Sequence, residues 1–277
     1  MEVKKVLNNN VVIALHSELD EVILTGKGIG FGKKEGDPVD ESGAEKFFVL
    51  KNEKEQEQYK QLLIEVDESF IGCMNDCMTM LENRFQVQLN EHIHVALTDH
   101  LYYAVHRIKQ GMEIRNPFLQ ETELAYPAEY QAARDLLFHL ETCTGISMPE
   151  GEIGFVALHI HTALTQRPLQ ELNEHTRLVS GLVERIEETL QVSMNTKNLD
   201  HQRLLRHLHQ TLERIQKEDY GDEPDSLKNV LKYEYPLCYN LSWKLIKMMQ
   251  QALKTPVPES EVVYLTLHLQ RLSRKHK

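Results

Sequence analysis

Long apolar runs, signal-peptide chemistry, paired cysteines and excess positive charge are all scarce in this 277-residue sequence. No apolar run approaches the ~20 residues that span a bilayer. The N-terminus, Met1-Glu2-Val3-Lys4-Lys5-Val6-Leu7-Asn8, lacks the long apolar stretch of a signal peptide. A cytoplasmic protein without membrane insertion is expected. Cys73, Cys77, Cys143 and Cys238 form no framework of paired spacings, and Cys73 and Cys77 sit one helical turn apart beside Met74 and Met78. A metal pair there would need two more ligands and none is obvious, so the cysteines read as packing, with no metal or cofactor expected. The net charge of −11 excludes a general nucleic-acid coat. It leaves room for a small module that reads one RNA shape through a few polar contacts.

Catalytic signatures are missing too. There is no G-x4-G-K-[ST], no G-x-S-x-G and no H-E-x-x-H. Gly26-Lys27-Gly28-Ile29-Gly30 is a poor dinucleotide fingerprint, but it suits a tight turn that exposes backbone. An enzyme is not expected.

What is present divides the chain. Residues 1–57 carry short apolar runs between turn residues: Val3–Leu7, Val11–Leu15, Val22–Thr25 and Phe47–Leu50, separated by Asn8-Asn9-Asn10, Ser17–Asp20 and a Gly-rich and polar stretch. This predicts a small antiparallel sheet of four strands. So short a module buries little apolar surface alone, so it is expected to dimerise. From about Glu53 the texture turns helical, with Leu62, Val66, Phe70, Cys73 and Cys77 at helical spacing.

The helical part repeats itself. Pro149-Glu150-Gly151-Glu152-Ile153-Gly154-Phe155-Val156-Ala157-Leu158-His159 aligns with Pro258-Glu259-Ser260-Glu261-Val262-Val263-Tyr264-Leu265-Thr266-Leu267-His268 at an offset of 109, as does Tyr126-Pro127 with Tyr235-Pro236. Leu97-Thr98-Asp99-His100 matches Leu204-Leu205-Arg206-His207, and Arg107-Ile108 matches Arg214-Ile215, at an offset of 107. Two homologous all-α helical bundles are therefore expected, at 62–169 and 170–277, with a linker at Thr165–Glu171. Both Pro-Glu-x-Glu segments read as helix starts, where acidic residues favour the helix dipole.

Of fourteen histidines, four recur in register: His100, His159, His207 and His268. They read either as inherited core residues or as carriers of a labile phosphoryl group, which an imidazole can accept. The pairs His92/His94, His159/His161 and His207/His209 lie in helical segments, where i and i+2 diverge and chelate poorly.

Together these features resemble the transcriptional antiterminators that carry an RNA-binding domain and two phosphotransferase-system regulation domains. The resemblance rests on Lys5-Val6-Leu7-Asn8-Asn9-Asn10, on Gly26–Lys34 and on the two repeats with their histidines. Leu89–His94 and Tyr235–Asn240 look most like the glucose-specific branch. The resemblance implies a dimeric β module that binds a hairpin in a nascent leader transcript and so excludes an overlapping terminator. It places RNA contacts at Lys5, Asn8, Asn10, Gly26, Lys27, Gly28 and Phe31. It places phosphorylation at His100, His159, His207 and His268, by the histidine phosphocarrier protein or a sugar permease, and a tuning role at Asp99, where the second repeat has Arg206. Residues 1–57 hold more Asp and Glu than Lys, so basic surface must be local or affinity must lean on shape. Two other readings remain: a helical metal-dependent enzyme or phosphotransfer component using the same histidines, and a DNA-binding regulator, which would need an N-terminal helix-turn-helix.

Overall fold

The computed structural model describes all residues except 45, 50–52, 90, 167, 194–197, 218–224 and 275–277. Among the described residues, four strands precede eleven α-helices: β1 (Glu2–Asn8), β2 (Val11–His16), β3 (Asp20–Thr25), β4 (Lys46–Phe48), α1 (Glu53–Glu65), α2 (Glu68–Phe85), α3 (Glu91–Lys109), α4 (Leu119–Ala125), α5 (Pro127–Thr144), α6 (Glu150–Thr165), α7 (Leu169–Leu190), α8 (Leu199–Lys217), α9 (Asp225–Glu234), α10 (Pro236–Leu253) and α11 (Ser260–Arg274). The expected strands fall where the alternation put them; Leu50, the end of the last, lies outside the described residues.

The sheet is antiparallel in the order β1-β2-β3-β4. Asn9 and Asn10 turn β1 into β2, and the Asn8 Oδ1 accepts from the Asn10 N–H at 2.9 Å, the local bond for which Asn is favoured in turns. Asp20, at φ 58°, opens β3 in the left-handed region that Asp tolerates better than most residues. One sheet face packs Val3, Val12, Ala14, Val22 and Leu24 with Ile29 and Val39. Val11, Ile13 and Ile23, pointing the other way, are buried too. Helices supply cover on that side: Asn75 of α2 donates to the Thr25 hydroxyl, and Lys46 pairs with Glu82 at 2.6 Å. Part of the burial expected from a second copy is thus provided by the chain's own helices.

The continuous periodicity from Leu62 to Cys77 belongs to two helices, not one. Asp67 adopts extended backbone (φ −62°, ψ 142°) and its carbonyl accepts from the Phe70 N–H, so α2 starts afresh. The apolar spacing survives the break because both helices bury their apolar residues.

The chain forms two compact units: Met1–Asn116 with Ala128–Arg167, and Pro117–Pro127 with Pro168–Lys277. The repeat boundary expected near 169/170 is therefore crossed once, by α4. Its Leu124 packs on the apolar core of the second unit, and the helix contacts α7 and α8. In the second repeat the corresponding helix, α9, packs on α10 and α11. Within the stretch expected to link the repeats, Gln166 ends α6 in the left-handed region and Pro168 caps α7, while Thr165 and Leu169–Glu171 are helical; residue 167 lies outside the described residues.

The cysteines do not all behave as packing. Cys77 and Cys238 are buried free thiols, but the Cys73 and Cys143 sulfurs are bonded across α2 and α5. The Cys73/Cys77 spacing, read as packing, does not reveal this bond, because the partner of Cys73 lies on another helix.

Candidate functional site

Two regions collect the residues that the sequence singles out. The first is one end of the sheet. Asn10 Oδ1 accepts from the Gly28 N–H at 2.7 Å, the Asn10 carbonyl accepts from Gly26 N–H, and the Asn9 carbonyl accepts from Gly30 N–H, both at 2.9 Å. These bonds fuse the asparagine turn to the glycine loop. Gly30 has no room for a side chain: a Cβ there would stand 2.3 Å from the Asn8 carbonyl oxygen. Gly28 (φ +74°) needs the left-handed region. The glycine loop raises Phe31 into solvent, 75% exposed, with Lys27 exposed beside it. An uncovered aromatic ring, a lysine and asparagine amides are the groups that stack on and read unpaired bases. Asn8, Asn10, Gly26, Lys27, Gly28 and Phe31 thus share one locus. Lys5 stands on the exposed side of β1, and its charge helps, after Lys60, to hold the Glu57 carboxyl below its usual range. The asparagine turn also touches the helices that follow: Asn8 Nδ2 donates to the Leu63 carbonyl at 3.4 Å and the Asn9 N–H to Glu68 at 2.9 Å.

The second region occurs twice. In the first unit, α3 presents His100 and Arg107, two turns apart, and α6 presents Glu152 and His159, also two turns apart. The His100 and His159 rings lie 5.1 Å apart. Glu152, fully buried, spends one carboxylate oxygen on His100 Nε2 at 3.0 Å and the other on Arg107 at 2.5 Å. In the second unit, α8 and α11 do the same: His207 and His268 stack at 4.8 Å, and Glu261 takes Arg214 at 2.7 Å with His207 Nε2 at 3.5 Å. Thr211 donates to Glu261 as well, at 2.8 Å.

Burial pushes His159 down to about 3, helped by charge at His100 and His92. Burial likewise brings His268 to about 4, with His207 and Arg271 adding to it. Both imidazoles are therefore neutral at pH 7, the form that has a lone pair to offer an electrophile. For Glu261, burial pushes the carboxyl up, but bonds from His207 and Thr211 and the Arg214 charge outweigh it, and the net shift is down.

The two halves of this geometry match known families. A model of the CAT RNA binding domain matches residues 1–57, and the PRD domain matches twice, at 75–163 and 180–272. The chain belongs to the CAT–PRD antiterminator family. The PtsGHI operon antiterminator of Bacillus subtilis (strain 168) is 54% identical over 99% of this chain and 97% of its own length. The GlcA/glcB genes antiterminator of Staphylococcus carnosus (strain TM300) is 37% identical over 99% of this chain and 96% of its own. A crystal structure of GlcT CAT-PRDI, at 53% identity and a TM-score of 0.54, covers 59% of this chain and 98% of that one.

In this antiterminator-family chain the four repeated histidines form two pairs, one per helical domain. Asp99 stands apart from them. It lines a groove between α1 and α3 with His92 and Tyr103. Desolvation raises its carboxyl, against the opposing charge of His100. The remaining histidines of the H-x-H pairs diverge as helices require: His161, for example, meets Glu129 at 2.9 Å. Sequence reasoning misses the glutamate and arginine. Glu152 and Glu261 read as helix-start residues, and Arg107 and Arg214 only as repeat markers, although all four recur in register with the histidines. Pairs that recur together at helical spacing on two helices are the signal that could have found them.

Proposed function

We propose that this chain is a homodimeric, cytoplasmic antiterminator that binds a hairpin in a nascent leader transcript and is governed by phosphorylation of His100, His159, His207 and His268. Its working parts are residues 1–57 for RNA and 62–169 and 170–277 for regulation. Donors would be the histidine phosphocarrier protein and a sugar permease of the phosphotransferase system. Glucose is the sugar favoured, because the B. subtilis and S. carnosus relatives are named for the ptsGHI and glcA/glcB genes. The observation that carries the reading is the His–His–Glu–Arg group, built twice from corresponding helices.

In transfer, the phosphorus–nitrogen bond of the donor phosphohistidine breaks as one to the acceptor imidazole forms, and the acceptor's proton leaves. The product places about −2 charge beside a buried carboxylate. Arg107, until then held by Glu152, becomes a partner for the phosphoryl oxygens, and the Glu152 contact is lost. Such an exchange shifts the domain between two arrangements. A tenfold change in RNA affinity needs only ~1.4 kcal/mol. Asp99, next to His100 in sequence, tunes the first site through its charge.

Two observations weigh against the alternatives. A guanidinium inside each histidine group disfavours a divalent cation there, so a metal enzyme built on these histidines is the weaker reading. Four strands occupy the N-terminus where a DNA-binding regulator would need helices.

The test uses the full chain and a labelled leader hairpin. Tight binding that Asn10→Ala or Phe31→Ala abolishes, and that phosphorylation with the purified carrier changes at least tenfold through His100 and His159, supports the proposal. Binding indifferent to both substitutions, or phosphate incorporation that survives replacement of all four histidines by alanine, refutes it.

A further inference from the structure

The bonded sulfurs of Cys73 and Cys143 do not stand alone. One helical turn before Cys143 on α5 is His139, whose Nε2 lies 3.6 Å from the Cys143 sulfur. One turn after Cys73 on α2 is Asp76, whose carboxylate lies 3.8 Å from the same Nε2. The Cys73, His139 and Cys143 ligand atoms all fall within 4.8 Å of one another. A disulfide needs two sulfurs and nothing more. Here two helices each present a sulfur and a second donor on the same face, at spacings of three and four residues.

We propose that in the reduced protein this group is a zinc site, with Cys73, Cys143 and His139 as ligands and Asp76 as the fourth. Two thiolates, an imidazole and a carboxylate are the donor set of a tetrahedral zinc centre. The spacing agrees. Zn–S of about 2.3 Å and Zn–N of about 2.0–2.1 Å at a tetrahedral angle put sulfur and nitrogen about 3.5 Å apart, against the 3.6 Å seen for His139 and Cys143. Cys73 is buried, His139 half-buried and Cys143 exposed, so a metal could reach the site from solvent. The site is separate from the histidine pair at His100 and His159. It lies between α2 and α5, whereas that pair lies between α3 and α6.

Metal and disulfide then exclude each other on the same two sulfurs. Hydrogen peroxide would convert one to the other: the two thiolates give up two electrons and join, the peroxide oxygen–oxygen bond breaks, two protons are taken up to leave two waters, and zinc is released. The bound ion would clamp α2 to α5 in the same domain that carries His100.

The experiment titrates cobalt(II), then zinc, into the full chain, purified with a non-thiol reductant and stripped of metal. The expected result is one cobalt per chain, with the visible bands of tetrahedral coordination and a sulfur-to-metal charge-transfer band, displaced by one zinc. Cys73→Ser or Cys143→Ser should cut the charge-transfer band by at least half, and the double variant should abolish it. His139→Gln and Asp76→Asn, both at partly exposed positions where folding is not at stake, should weaken zinc by more than about tenfold and by about tenfold. Cys77→Ser and Cys238→Ser should change neither. Peroxide should release the zinc and leave a chain two mass units lighter than the reduced one. A reduced chain that binds no cobalt, or one whose charge-transfer band is undiminished by Cys143→Ser, overturns the proposal, whether or not the disulfide forms.

Discussion

In the first helical domain Glu152 divides its two oxygens between His100 and Arg107. In the second, Thr211 takes the oxygen of Glu261 that would otherwise serve His207 alone, and the histidine stands half an ångström farther off. The residue that matches Thr211 at the repeat's offset is Ala104, fully buried and unable to compete. The surroundings differ as well. The carboxylate of Glu152 is more deeply buried than that of Glu261, and the Arg107 side chain is 21% exposed where Arg214 is 37%. The same four side chains are therefore held by a carboxylate divided between two partners in one domain and among three in the other. The duplicated group keeps its four side chains, and the Thr211 hydroxyl changes how the carboxylate is shared.

Acid should separate the domains most. Burial lowers His94 and His159, both in the first, to about 3. The unfolded chain binds protons at these positions below about pH 6.5, and the folded chain does not. Stability is thus intact above that pH and falls as the pH drops towards 3, by roughly 2 kcal/mol for each histidine at about pH 5. The second domain has one such group in the pair, the half-exposed His268. Hydrogen exchange at pH 7 and pH 5 should show α3 and α6 loosening before α8 and α11, and His94→Gln should blunt that loss. Equal loosening of both domains would break the comparison.

Removing the carboxylate should come next. Glu152→Ala strands a half-buried guanidinium and is expected to cost about 3 kcal/mol. Glu261→Ala should cost less, because Arg214 can rehydrate. Denaturation read by exchange in each domain checks the order, and a larger loss for Glu261→Ala would reverse the argument.

Much of this is legible in the order of the amino acids alone. The strands, the turn at Asn8–Asn10 and the histidine register follow from period-two alternation, turn chemistry and an internal repeat, which are local or linear signals. The pairing of the histidines across helices does not. Glu152 looks like an ordinary helix-start acid until α6 lies on α3. Cys143 has no spacing that points to Cys73, and nothing in α4 announces that it packs on the second core. Those facts depend on which helix meets which, and periodicity only says that a face is buried.

Exchanging the competing residue is a finer test. Thr211→Ala removes a bond to a charged acceptor, worth about 2 kcal/mol. It should also free the Glu261 oxygen for His207, bringing that contact towards the 3.0 Å of His100. A closed His207–Glu261 hydrogen bond should then appear by NMR as an imidazole N–H proton that exchanges more slowly with solvent than in the unsubstituted chain. Faster exchange would mean that Thr211 supports the His207 contact and does not compete with it.

The smallest effect concerns Asp99 and Arg206, the one charge reversal beside the repeated histidines. Asp99 is exposed, so water screens most of its field, and an exposed charge of this kind is worth less than about 1 kcal/mol. Asp99→Asn is therefore expected to change the rate of His100 phosphorylation by the carrier only about twofold. The direction is fixed by sign: an approaching phosphoryl group is anionic, so removing the carboxylate should speed the reaction. Arg206→Gln at the second site should slow His207 by a similar factor, since it withdraws a cation. Salt should erase both differences, because a screened exposed charge is the only cause invoked. If Asp99→Asn instead changed the rate a hundredfold, or kept its effect in high salt, Asp99 would have to touch the reacting groups. Its place in the groove between α1 and α3 would then describe only one of two arrangements of the first domain.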